Sequence, residues 1–317
     1  MDVIPQRLKF YGDGGKYFGI LIVNFLLTIL SLGLYYPWAR AKNLQYLYGE
    51  TEFAGSRFQF HGTGQEMFKG FIKAIAMIAV LIIVYALLVS SRNGFLALIG
   101  MIWYLGGIVL IIPLAIHGGL RYRMSRTSWR GIHFGYRGNL GELFWMVLKG
   151  IGLIIITLGI YASWFSINLR KYVIGNIRLG NCKLRYDGDG GDFFWLNFKG
   201  VFLSILTLGI YMFWYIRDLN HYFVNNLKLE QDGNEFGFSS SLTAGDIFIT
   251  GIGNYFLIVF TLGLGLPWAL LRQMRMIVNN MELQGAFNTE TLTQTEENYS
   301  DATGDDMLSM LDIGLDF

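Results

Sequence analysis

Apolar positions along the chain gather into six blocks: Tyr17–Trp38, Gly70–Ser91, Phe95–His117, Leu143–Phe165, Phe193–Trp214 and Ile247–Leu271. Each is close to the ~20 residues that a helix needs to cross hydrocarbon. Between the blocks the period changes from helical to alternating. "FAGSRFQF" (53–60), "IRLGNCKLRY" (177–186) and "LKLEQDGNEFGF" (227–238) alternate apolar and polar residues around a glycine turn, a β-hairpin pattern. The last of them turns at Asp232-Gly233-Asn234.

Four of the apolar runs end in one phrase: "SLGLYYPW" (31–38), "TLGIYASW" (157–164), "TLGIYMFW" (207–214) and "TLGLGLPW" (261–268). A glycine after leucine suits a left-handed helix end, and Pro37 or Pro267 suits the first turn of a new helix. The phrase therefore predicts a stop and a restart. Counted from the aromatics Phe10, Tyr136 and Tyr186, the glycines Gly33, Gly159 and Gly209 each follow at 23 residues and Trp38, Trp164 and Trp214 at 28. From Phe238, Gly263 follows at 25 and Trp268 at 30. The unit that opens at Phe60 lacks the phrase, but its Pro113 and Gly131 match Pro37 and Gly55 if 26 residues are inserted. Five tandem repeats result, at about 10–57, 58–133, 134–183, 184–235 and 236–287.

The expected fold class is thus membrane α-helical: five repeats, each a β-hairpin followed by a helix-turn-helix membrane hairpin. Lysine and arginine choose between two versions of it, because cytoplasmic connectors collect them. Six single crossings would place eleven basic residues on either side, with Lys73, Lys149 and Lys199 inside the blocks. Re-entrant hairpins, with full spans in the second repeat alone, place every connector except that of Arg92 on one side. The second version is preferred; six ordinary transmembrane helices are the alternative. The N-terminus and the repeat junctions are then cytoplasmic.

The pattern of aromatic, glycines, apolar run, "TLGIY" with tryptophan and a basic-aromatic segment resembles the YjgN family of bacterial inner-membrane proteins. The resemblance covers the whole chain except its acidic end. That family is of unknown function, so the resemblance implies a bacterial, multi-pass inner-membrane protein and brings no catalytic residues with it.

Composition agrees with a membrane protein. The chain is 53% hydrophobic and 15% charged, with a mean hydropathy of +0.41. The opening "MDVIPQRLKF" has no apolar core with a cleavage site, so no removable signal peptide is expected. The net charge of +2 hides an asymmetry: residues 288–317 hold eight acidic residues and no basic one. This tail is expected to be disordered, its last eleven residues, "MLSMLDIGLDF", being either a frayed end or a short helix for a partner's groove. Scattered basic residues suit lipid headgroups and argue against nucleic acid.

Candidate chemistry is sparse. Cys182 is the single cysteine, which excludes an intramolecular disulfide. Asp187, Asp189 and Asp192 in "YDGDGGDFF" offer three oxygen ligands, but no 12-residue calcium loop follows, and a solvated turn is the better account. The histidines show no metal-ligand spacing, and no cofactor is expected. Asn24, Lys149, Lys199 and Asn254 fall on or beside one repeat position inside apolar helices, and His117 ends a long apolar block. Polar groups at such depth are candidates for a solute path; snorkelling lysines and helix-bridging asparagines are the structural alternative. Trp38, Trp164, Trp214 and Trp268 read as interfacial anchors. No hydrolase, P-loop or zincin pattern is present, so an enzyme is not expected. Two functions are weighed: permeation or transport of a small anion, and a membrane scaffold that recruits a partner through its β-layer and acidic tail.

Overall fold

The computed structural model describes residues 6–285, 287–295, 303 and 307. Strand β1 (Gln6–Phe10) leads into helices α1 (Gly14–Leu30) and α2 (Tyr36–Gly49), then strand β2 (Thr51–Phe53). The same order follows in β3 (Ser56–Phe60), α3 (Gly64–Ser90), α4 (Gly94–Ser125) and β4 (Thr127–Trp129). Next come β5 (Ile132–Tyr136), α5 (Leu140–Ile156), α6 (Ala162–Gly175) and β6 (Ile177–Leu179). They are followed by β7 (Cys182–Tyr186), α7 (Gly190–Leu206), α8 (Met212–Asn225) and β8 (Leu227–Gln231). The series ends with β9 (Asn234–Ser240), α9 (Ala244–Phe260), α10 (Leu266–Val278) and β10 (Met281–Leu283).

Every strand pairs antiparallel with its neighbours in sequence, and β10 pairs with β1, for example Gln6 opposite Leu283. The result is a closed ten-stranded barrel. Because strand direction alternates around it, its connections alternate between the two ends. All five helix pairs therefore leave from one rim, and the tight turns lie at the other. The helices form a second closed layer, each packed on the next and α10 returning to α1.

Alternation decides what fills the barrel. Phe53, Trp129, Leu179, Cys182, Leu229 and Leu283 point inward and form one buried cluster with Phe287, while Lys9 and Glu52, or Arg178 and Lys183, pair on the outer face. Trp129 is 0% exposed, and its indole N–H donates to the carbonyls of Phe53 (3.2 Å) and Ser56 (3.0 Å). The lumen is a core. Burial pushes the Cys182 thiol up to about 11, so it packs as a small apolar group.

The start of the acidic segment lies across the tight-turn end. Gln231 donates to the Asn288 carbonyl and the Thr291 hydroxyl, Asn181 exchanges bonds with Thr291 and Thr293, and Thr295 donates to the Gly180 carbonyl. Met307 is buried in a cluster that includes α3, α4, α5 and α6 residues. Most of the expected tail motif, residues 308–317, lies outside the described residues.

This architecture corrects the expected fold class. A helical membrane fold of hairpin repeats, re-entrant or full-span, and its six-helix alternative both give way to a mixed fold organised by one closed barrel. Among the described residues, only α3 and α4 are long and apolar enough to cross a membrane. The reasons are physical. Local alternation reveals that strands form but not which strands pair, and strands of three to seven residues cannot leave their edges open. Hydropathy also runs through an apolar turn without registering it. The 17 residues of α1 reach only ~25 Å, short of the ~30 Å of hydrocarbon.

Candidate functional site

The apolar phrase forms the tip of each short helix pair. In α5, the N–H of Gly159 reaches back to the Ile154 carbonyl and that of Leu158 to Ile155, the Schellman arrangement. The left-handed position itself is held by a leucine: Leu32, Leu158, Leu208 and Leu262 have φ near +51°, and the glycines that follow have φ of +90° to +93°. The preceding hydroxyl ties the two helices together. Thr157 donates to the Leu153 carbonyl (2.7 Å) and accepts from the Tyr161 N–H (3.0 Å). Thr207, Thr261 and Ser31 do the same at their tips. Nothing lies near an added Cβ at Gly209, so only its backbone angle opposes substitution. Gly209→Ala is expected to cost about 1–2 kcal/mol, measured as a lower melting temperature in detergent; an unchanged melt would mean that the turn relaxes freely.

At the rim, Asp13, Thr63, Asn139, Asp189 and Thr243 cap the first helix of each pair. Tyrosines of the second helices brace these caps: the Tyr46 hydroxyl contacts the backbone of Asp13, Tyr172 that of Asn139 and Tyr222 that of Asp189. These tyrosines escaped the sequence reading, although Tyr172 and Tyr222 are one 50-residue period apart.

The capping geometry also disperses the three aspartates. Asp189 accepts from the N–H groups of Gly191 and Asp192, which holds its carboxyl below the usual range. Asp187 pairs instead with Arg185 and Lys228, on the barrel's outer wall, and is likewise lowered, chiefly by Arg185. No cluster of three metal-ligating side chains occurs among the described residues. Elsewhere, His61 and His133 have ring centroids 5.2 Å apart, and burial together with His133 and Arg126 lowers the His61 pKa.

The tryptophans join one pair of helices to the next. Trp38 lies over Gly64 of α3, Trp164 over Gly190 of α7, and Trp268 over Gly14 of α1, each so close that a Cβ on the glycine would overlap the indole. Trp38 also packs on Phe68 and Trp268 on Phe18, at 4.9 and 5.3 Å between centroids. Trp214 is 42% exposed, and the α9 start has Ala244 at the position that Gly14, Gly64 and Gly190 hold in three other repeats.

The five solute-path candidates are spread around the helix layer. Asn24 of α1 donates to the Ala39 carbonyl of α2 (3.3 Å), and Asn254 of α9 donates to the Ala269 carbonyl of α10 (3.0 Å). Both bridge a helix to its own partner. Lys149 of α5 and Lys199 of α7 are exposed on the helix layer. His117 of α4 stands edge-on to Tyr136, and its Nδ1 is buried without a partner among the described residues. Among the described residues no hydrogen bond, ion pair or ring contact joins any two of them, but Lys199 lies in a cleft with Asp218 and Tyr215, which sequence spacing had not singled out.

Comparison with known proteins adds a family. The DUF898 family, described as bacterial protein of unknown function, matches residues 5–197, 181–237 and 233–310. The chain belongs to it. It is 34% identical over 158 residues to the inner membrane protein YjgN of Escherichia coli O157:H7, covering 48% of this chain and 38% of that one. It is 31% identical over 172 residues to inner membrane protein YjgN of Salmonella typhimurium, covering 54% and 41%. The matched stretch thus spans well under half of these relatives' length. No solved structure matches. The chain is accordingly a YjgN-family bacterial inner-membrane protein whose family has no established activity.

Proposed function

We propose that this protein is a membrane-anchored scaffold whose barrel wall receives a protein partner. The observation that carries the reading is the packed lumen. A solute following the barrel axis would have to displace Trp129, Cys182 and Leu283, all 0% exposed, while of the polar residues expected to line a path Asn24 and Asn254 bridge helices and Lys149 and Lys199 face outward. The anchor is apolar surface on the helix side. Leu32, Leu158, Leu208 and Leu262 are 93–94% exposed at the tips, an arrangement that water penalises and lipid does not.

Charge orients the molecule. The second helix of every pair carries basic residues on its return to the barrel: Arg40 and Lys42, Arg121 and Arg123, Arg170 and Lys171, Arg217, then Arg272 and Arg275. Since all five pairs leave one rim, the positive-inside rule favours an orientation with the barrel and the N-terminal strand on the cytoplasmic side. The start of the acidic segment is already bonded to the barrel end, which leaves the charged outer wall as the docking face.

The test is a photo-crosslinking residue placed at Lys183, on the outer wall, or at Leu158, at a tip, in cells. Lys183 is expected to trap a protein and Leu158 only lipid. In liposomes the pure protein is expected to leave anion flux at the level of empty vesicles. A flux that appears with the protein and falls in the Lys149→Gln, Lys199→Gln double variant would establish transport instead.

A further inference from the structure

Between α7 and α8 lies a cleft of about 280 Å³, lined by Trp195, Leu196, Lys199, Gly200, Tyr211, Tyr215 and Asp218. It is built on a close approach: a Cβ at Gly200 would overlap the Tyr215 ring, so the two helices meet there without a spacer. The Tyr215 hydroxyl donates to Asn197 Oδ1 (2.5 Å), which fixes the ring as the cleft wall. The cleft opens on the apolar surface, where Trp195 is 65% exposed.

Two opposite charges face this space. Lys199 is exposed and makes no hydrogen bond or ion pair with any described residue. Asp218 is bound by Arg217 through Nε (2.8 Å) and Nη2 (2.6 Å), but both bonds fall on Oδ1. Its Oδ2 keeps its acceptor capacity. Lys199 is the tenth residue of α7, ~14 Å from the helix start, and beside lipid an ammonium without a counter-charge gains from an anionic partner.

We infer that this cleft binds the zwitterionic headgroup of a phospholipid, a phosphodiester carrying a primary ammonium. Lys199 Nζ holds the phosphate, Asp218 Oδ2 accepts from the ammonium, and Trp195 lies along the first methylenes of the acyl chains. The volume, at the low end for ligand pockets, suits a headgroup rather than a larger solute. The neighbouring pair offers an internal control. Fifty residues earlier, Trp145, Lys149, Gly150 and Tyr161 repeat the arrangement, but Phe165 replaces Tyr215 and Asn168 replaces Asp218. That position keeps the cation and lacks the carboxylate. The inference needs only that the helix layer lies in a membrane, and it stands or falls independently of the scaffold reading.

Native mass spectrometry of the full chain in detergent tests it, with short-chain phosphatidylethanolamine, short-chain phosphatidylglycerol and free phosphoethanolamine as probes. Phosphatidylethanolamine is expected to bind in preference to phosphatidylglycerol. Lys199→Gln is expected to weaken it by about tenfold, the loss of one charge-assisted hydrogen bond, and Lys199→Arg to restore it. Asp218→Asn is expected to abolish the preference for phosphatidylethanolamine while phosphatidylglycerol still binds. Lys149→Gln is expected to leave binding unchanged. Both sites are partly exposed, so the variants fold, as an unchanged melt would verify. Equal binding by the wild type and Lys199→Gln, or an equal loss in Lys149→Gln, overturns the site. Free phosphoethanolamine binding as tightly as the lipid overturns the lipid assignment.

Discussion

Gly14→Val is expected to destabilise the folded protein by about 1–3 kcal/mol, the cost of forcing extra volume into a packed contact. Gly14 begins α1 and lies under the indole of Trp268 in α10, so an added Cβ would overlap Cδ1 and Nε1 of that ring. The contact joins the last helix pair to the first, where no peptide chain links them. Strain at this joint acts on the closure of the helix layer and on the pairing of β1 with β10 beside it. Trp268→Ala in the same chain is expected to relieve the clash, so the double variant is more stable than additive losses would allow. Melting temperatures in detergent for the two single variants and the double variant measure the coupling. Additive losses would mean that Trp268 swings aside in the valine variant and that closure does not depend on this fit.

How much of this was legible in the sequence differs from element to element. The hairpin turn at Asp232-Gly233 is local: both residues take positive φ, +49° and +84°, and their residue types announce it. The stop and restart in "TLGIY" is also local, yet the spacing assigned the left-handed position to the glycine alone, whereas leucine and glycine share it. Barrel closure was not legible. Nothing near Gln6 or Leu283 states that residues 277 positions apart will pair, because that choice is made by the open strand edges of all five units together.

The candidate site shows the same division. A lysine inside an apolar helix is conspicuous in sequence, so Lys149 and Lys199 were both found. Which of the two has a counter-charge depends on the facing helix, and Asp218 reads there as one more polar residue of a basic connector. The tryptophans were conspicuous for their constant spacing. Their packing on Gly14, Gly64 and Gly190 was hidden, since each glycine belongs to a different repeat from its tryptophan.

Trp129→Ala is expected to have the largest effect on stability, about 3–5 kcal/mol. The side chain is fully buried in the lumen, packed among Phe53, Phe58 and Phe287 with centroids 5.3–6.4 Å away. Removing it leaves a cavity in the barrel's core and takes the N–H from the carbonyls of Phe53 and Ser56. Trp129→Phe separates the two losses: it restores most of the volume and leaves only the carbonyls, at about 1–3 kcal/mol. Trp195→Ala, at an exposed ring, is expected to stay within about 0.5 kcal/mol. Equilibrium denaturation in a common detergent ranks the three. The same variant bears on function, because a lumen that is purely a core loses stability when opened and gains no conductance. Anion flux in liposomes that rises in Trp129→Ala above the wild-type level would mean that the indole closes a path along the barrel axis, and the scaffold reading would yield to a gated pore.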